Sequence, residues 1–192
     1  MENTEDVEKL IRRHVGFAMV AGAIPIPLVD IAAVTAIQLD LIKELAKQYE
    51  VDYSRERGKV IAATLIGTTV GNLIGRLGAS AIKAIPGVGT VLGIGSMAVF
   101  AGASTFALGK VFEHHFKEGG NLFDFDVDAM KEKFKDFFKR GKTVAEEIRK
   151  NPNREDIVET ISKLQELKNS GAITEEEFEK TKKELLAKLK DL

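Results

Sequence analysis

Cysteine is absent from this chain, and with it go disulfides, thiolate metal sites and cysteine nucleophiles. Tryptophan is absent too and only 2 tyrosines occur, so the aromatic belts that mark the interfaces of a committed membrane-spanning protein are missing. Neither sign of charge prevails. With 28 basic against 29 acidic residues and a net charge of −1, there is no basic excess of the kind that holds nucleic acid through counterion release. No Ser-His-Asp order, paired-carboxylate cleft or dinucleotide fingerprint emerges, and a non-enzymatic protein is expected. The start, Met1-Glu2-Asn3-Thr4-Glu5-Asp6, is acidic where a secretory signal needs a basic segment and a compact apolar run. Export is therefore disfavoured, and the lack of disulfides fits a reducing cytoplasm.

Charge is also missing locally. Three glycine-studded apolar blocks, Val15 to Leu39, Val60 to Gly75 and Ala84 to Gly109, hold a single charged residue between them, Asp30. Helical spacing of Val7, Leu10, Ile11, Val15 and Ala18 predicts a first helix ending near Ala23, because Pro25 and Pro27 remove donors and fix φ. A second helix is predicted over residues 28–49, and a third over 55–83 after the Val51-Asp52-Tyr53-Ser54 break. Gly67, Gly71 and Gly75 fall four apart on one face of that third helix and admit a close neighbour. Together with Gly89 and Gly93 they are the candidate helix-packing and self-association glycines. Pro86 lies in a second hinge, Ile85-Pro86-Gly87-Val88-Gly89, at a point matching Pro25 in the first, so the chain reads as two helix–hinge–helix units with a fourth helix over 90–116. After Gly119-Gly120-Asn121, Val127, Met130, Phe134, Phe137, Phe138 and Gly141 mark the apolar stripe of a fifth, amphipathic helix with lysines on its reverse face.

Asn151-Pro152-Asn153 is the clearest linker, and a domain boundary is placed there, separating 8–150 from 154–192. Beyond it Ile157, Ile161, Leu164 and Leu167 form a short helical stripe, Gly171 supplies a stop, and Thr174 with Glu177 makes a capping box stapled by Ile173 and Phe178. The last helix presents Phe178, Leu185, Leu186 and Leu189. A hairpin of under about 40 residues seldom buries enough surface to stand alone. Ile161, Leu164, Phe178, Leu185 and Leu189 are thus expected to dock on something, most economically on further copies of the chain.

The segments Gly22 to Asp30, Gln38, Leu45 to Tyr49, Ile85-Pro86-Gly87 and Gly119 to Leu122 resemble the bacterial family called domain of unknown function 697, over about residues 8–141. That resemblance implies a hydrophobic helical domain, frequent membrane association and a GTPase as companion. Ile161 to Leu164, Gly171 to Thr174 and Glu176-Glu177-Phe178 resemble the short C-terminal domain abbreviated SHOCT, which implies an oligomerisation or docking role. Gly141-Lys142-Thr143 ends like a phosphate loop, but Asp136 stands where its first glycine belongs and the preceding segment reads as helix. A GTPase partner is accordingly a separate polypeptide.

Two media satisfy the apolar blocks. On the insertion scale the Ile, Leu, Val and Phe residues of Val15 to Leu39 contribute about −3 to −7 kcal/mol while Asp30 costs roughly +2.5 to +3.5, a marginal outcome for a span and compatible with re-entrant hairpins. A bundle packed through its small residues, alone or in an oligomer, removes the same surface from water. Asp30 is expected to cap the second helix or bond across the bundle, and Gln38 to bond between helices. His14, His114 and His115 make no ligand set at helical spacing, so no metal or cofactor is expected. The expected protein is all-α, a homo-oligomer that acts by assembly at the cytoplasmic face of, or inserted in, the inner membrane. The alternative is a soluble adaptor for a GTPase.

Overall fold

A computed structural model describes residues 4–24, 29–77, 93–190 and 192, with side chains at 5–24, 32–68, 97–190 and 192. The described residues form seven helices and no strand: α1 (Thr4–Ala21), α2 (Val29–Gln48), α3 (Arg55–Leu77), α4 (Gly93–Lys117), α5 (Val127–Lys150), α6 (Arg154–Asn169) and α7 (Glu175–Lys190). Both proline hinges, with Pro25, Pro27, Pro86 and Gly89, lie outside the described residues, as does the end expected for the third helix beyond Leu77.

Helix ends follow local chemistry. Asp126 caps α5 by accepting the Ala129 N–H at 3.0 Å, and Asn153 caps α6 by accepting that of Asp156 at 2.8 Å. At α7 the capping box closes both ways, the Thr174 N–H donating to Glu177 Oε2 at 2.6 Å and the Glu177 N–H to Thr174 Oγ1 at 3.3 Å. Ile173 and Phe178 are both buried beside it, and Gly171 makes the left-handed turn at φ +75° that releases α6.

α4 packs against α1, α2 and α5 and is the interior element of the bundle. Every residue from Ala101 to Gly109 is buried, so this stretch is apolar all round because protein covers it all round. Its small residues let neighbours come close. A Cβ on Gly141 of α5 would sit 2.7 Å from the backbone oxygen of Ala103, and one on Gly102 would sit 2.6 Å from Met19 Cγ of α1. The apolar face of α5 (Met130, Phe134, Phe138, Ala145) closes over the same core, so its phenylalanines are committed to the bundle. On the reverse face Lys131, Lys135 and Lys139 pair one turn back with Asp128, Glu132 and Asp136.

α3 packs on α2 and α5. Its far side is uncovered: Lys59, Val60, Ala63, Thr64 and Gly67 are all exposed, Val60 to 66%. A Cβ at Gly67 would meet nothing within 4 Å, so the first glycine of the expected packing stripe faces open space in this chain. Gly71 and Gly75 continue α3, and Gly93 opens α4, but their surroundings lie outside the described side chains.

Candidate functional site

The helical hairpin α6–α7 folds back onto its own bundle. Ile157, Leu164, Leu167, Ile173, Phe178 and Leu185 are buried in one cluster with Phe17, Ala18, Ala21 and Ile24 of the first unit, Ala33 and Ile37 of α2, and Ala101 of α4. Ile161 and Leu189 pack on the rim of that cluster, while Leu186 stays 40% exposed. The partner surface within this chain is therefore the bundle itself, where the sequence favoured other copies. At roughly 25 cal/mol per Å² of apolar surface, covering these residues is the hairpin's chief source of stability.

A charged centre pins the contact. His14 of α1 is fully buried, with Nδ1 3.0 Å from the Leu10 carbonyl oxygen and Nε2 3.4 Å from Asp40 Oδ2 and 3.9 Å from Glu44 Oε1. Both of these partners are acceptors, one a backbone carbonyl and the other a carboxylate. Lys163, reaching across from α6, donates to Asp40 and to Glu166. Arg13 bonds Glu44 at 3.1 Å and lies 3.8 Å from Glu159 of α6. The hydrogen bond with His14, joined by that from Lys163, holds the Asp40 carboxyl well below the usual carboxylate range against the burial that pushes it up. Burial works to lower Lys163, but Asp40 and Glu166 outweigh it and keep the ammonium above its ordinary value.

The ligand atoms of His14, Asp40 and Glu44 lie within 4.8 Å of one another, a spacing a divalent ion could use. Lys163 on Asp40 and Arg13 on Glu44 already neutralise both carboxylates, and an ion would have to displace them. The donor set thus fits a charge-balanced latch better than a metal centre. An open cleft of about 1220 Å³ beside it is walled by both signs of charge, among them Arg12, Lys43, Glu147 and Glu155, and selects neither.

The other residues singled out in the sequence are dispersed. Gln38 is buried and donates to Ser104 Oγ at 3.2 Å and Thr105 Oγ1 at 3.3 Å of α4. Asp30 is the second residue of α2, and its side chain lies outside those described. His115 takes part in hydrogen bonds with the Asn121 carbonyl oxygen at 2.9 Å and Asp124 Oδ1 at 3.0 Å and anchors the turn into α5. His114 points elsewhere, 3.3 Å from Glu118.

The model of the family described as domain of unknown function 697 matches residues 2–143, and that of the short C-terminal domain matches 159–186. The chain belongs to the domain of unknown function 697 family. Its family domain thus spans α1 to α5, and the short C-terminal domain is the hairpin that covers it. Over 143 residues the chain is 41% identical to Magnetosome membrane protein 22 of Magnetospirillum gryphiswaldense, covering 74% of this chain and 73% of that protein. No solved structure matches the chain. Among the described residues no helix is long and apolar enough to cross a membrane.

The latch has one signal in the sequence. His14 falls four residues from both Leu10 and Ala18 on the buried stripe of α1, and a lone polar ring on such a stripe requires a partner. Nothing in the spacing points to Asp40 or Lys163, which only the docking of α6 brings together.

Proposed function

We propose that this chain is a non-enzymatic helical protein that associates with a membrane surface and with copies of itself, with α3 as the contacting element. The observation that carries this reading is the uncovered side of α3, where Val60, Ala63 and Gly67 stand exposed at the start of a charge-free run to Gly75. The other charge-poor stretches find most of their cover inside the chain where they are described, α4 in the core and the end of α1 beneath the hairpin, although Ala32 of α2 is exposed. An apolar helix face left open in this way is what lipid or a second copy removes from water. The naming of a 41% identical relative as a membrane protein supports the lipid side of the reading. The bundle acts as a scaffold, and the hairpin adds a second contact that can be shared between copies. The membrane is met from its cytoplasmic face.

Flotation of the full-length protein on anionic and neutral liposomes, followed by carbonate extraction and light scattering of the soluble fraction, tests it. The expected result is protein that floats and is larger than one chain when left in buffer. Protein that stays at the bottom as a monomer defeats the reading. A bundle that instead captures a separate GTPase, the partner the family resemblance implies, would replace assembly by an adaptor role.

A further inference from the structure

Beneath the hairpin, the latch gathers donor atoms of a second kind. Asp40 and Glu44 stand four residues apart on one face of α2, and the buried ring of His14 on α1 faces both. Its Nδ1 lies 3.0 Å from the Leu10 carbonyl oxygen, which only accepts, so that nitrogen carries a hydrogen. In the neutral ring the lone pair of Nε2 then points at Asp40 Oδ2, 3.4 Å away, and Glu44 Oε1, 3.9 Å away. A lone pair facing two carboxylate oxygens is repelled by them until a cation, a proton or a metal ion, comes between.

The geometry suits a metal once the hairpin withdraws. A backbone carbonyl on the far nitrogen is the support that orients imidazole ligands of metals. Donors about 2.1 Å from a shared ion stand roughly 3–3.5 Å from one another, close to the two separations here. The charges around the latch are of both signs, with Arg12, Lys43 and Lys47 against Glu147, Glu155 and Glu159, so selection rests on the ligand set and not on net charge. One imidazole nitrogen with two carboxylate oxygens favours a divalent first-row transition ion over magnesium or calcium, which prefer oxygen alone. Two cations stand in its way. Arg13 is rooted in α1 with its side chain 40% exposed, and can leave Glu44 for water. Lys163 comes from α6, is 14% exposed, and donates to Asp40 Oδ2, the same oxygen that faces His14. An ion and that ammonium therefore compete for one atom.

We propose that His14, Asp40 and Glu44 bind a divalent first-row transition ion in competition with Lys163, so that the ion loosens the hairpin α6–α7 from the bundle. By linkage, docking of the hairpin weakens the ion by the same factor. The open cleft beside the latch, lined by Asp40 and Glu44, is the way in. The site is separate from the exposed side of α3 and rests on neither membrane association nor self-association.

Titration of the full-length protein with cobalt(II), read by the visible absorption of the ion and by proteolysis at the 151–153 linker, tests the competition. The expected result is one ion per chain, undisturbed by excess magnesium, with cleavage at least about twofold faster in the bound protein. Asp40→Asn and Glu44→Gln should each weaken cobalt by about tenfold or more. Lys163→Met should tighten it several-fold, an effect that a site unrelated to the latch would not show. His114→Gln, which removes the partly exposed imidazole beside Glu118, should leave the affinity unchanged. Absence of one-site binding, or full affinity in folded Asp40→Asn and Glu44→Gln, overturns the proposal. So does an affinity that Lys163→Met leaves as it was, or a cleavage rate that the ion does not move.

Discussion

Helices α3 and α4 both run through charge-free, glycine-bearing stretches, yet Ala101 to Gly109 of α4 are buried residue after residue, whereas Val60, Ala63, Thr64 and Gly67 of α3 face outward. The difference lies in their neighbours. α4 is enclosed by α1, α2 and α5, while among the described residues α3 has its main contacts with α2 and α5. Glycine plays opposite parts in the two. In α4 Gly102 and Gly109 meet Met19 and Ile11 at distances no Cβ could tolerate unchanged, and Gly67 of α3 meets nothing. Low charge and regular glycine therefore report a helix that needs cover without saying whether the chain itself provides it.

The comparison breaks most sharply under an inserted charge. Ala103→Asp should abolish cooperative thermal unfolding, because an unpaired carboxylate at a fully buried position costs several kcal/mol. Ala63→Asp should keep the wild-type midpoint and lose liposome flotation. If Ala103→Asp folds normally, α4 is not the interior helix.

Steric substitution gives a smaller contrast. Gly141→Leu drives a side chain against the backbone of Ala103 and should cost about 1–3 kcal/mol in chemical denaturation. Gly67→Leu should be neutral or gain up to about 1 kcal/mol from helix propensity, and a large loss there would place a neighbour against α3.

The latch of the hairpin supplies the third test. Asp40 is depressed in the folded chain, so its contribution is complete above its unfolded value near about 4 and is lost as pH falls further. Lys163 is raised, so its share is complete below its unfolded value near about 10.4 and is lost as pH rises through the folded one. Proteolysis at the Asn151-Pro152-Asn153 linker should accordingly be slowest between those limits and faster on either side. Lys163→Met should flatten the alkaline arm and leave Ala63→Asp and Ala103→Asp behaving as before. An unchanged alkaline arm would remove Lys163 from the latch.

Much of this architecture was legible in the residues. Asn151-Pro152-Asn153, the Thr174–Glu177 box and the phenylalanine stripe of α5 carry their instructions locally, within one or two turns of helix, and the structure follows them. The close approaches were not legible, because Gly102 of α4 meets Met19 of α1 and Gly141 of α5 meets Ala103 of α4, and no interval along one helix encodes the face that finds a partner. His14, Asp40 and Lys163 are hidden for the same reason, being separated by 26 and 123 positions along the chain.

The linker at residues 151–153 also fixes a concentration. A hairpin held by so short a tether experiences its own groove at an effective concentration on the order of millimolar or above, so an equivalent groove on another copy competes only when copies crowd to that level. Dilute protein should keep its hairpin to itself, and packing onto a two-dimensional surface is the circumstance that brings exchange between neighbours within reach. The same few residues that close the fold would then set the density at which it opens to others.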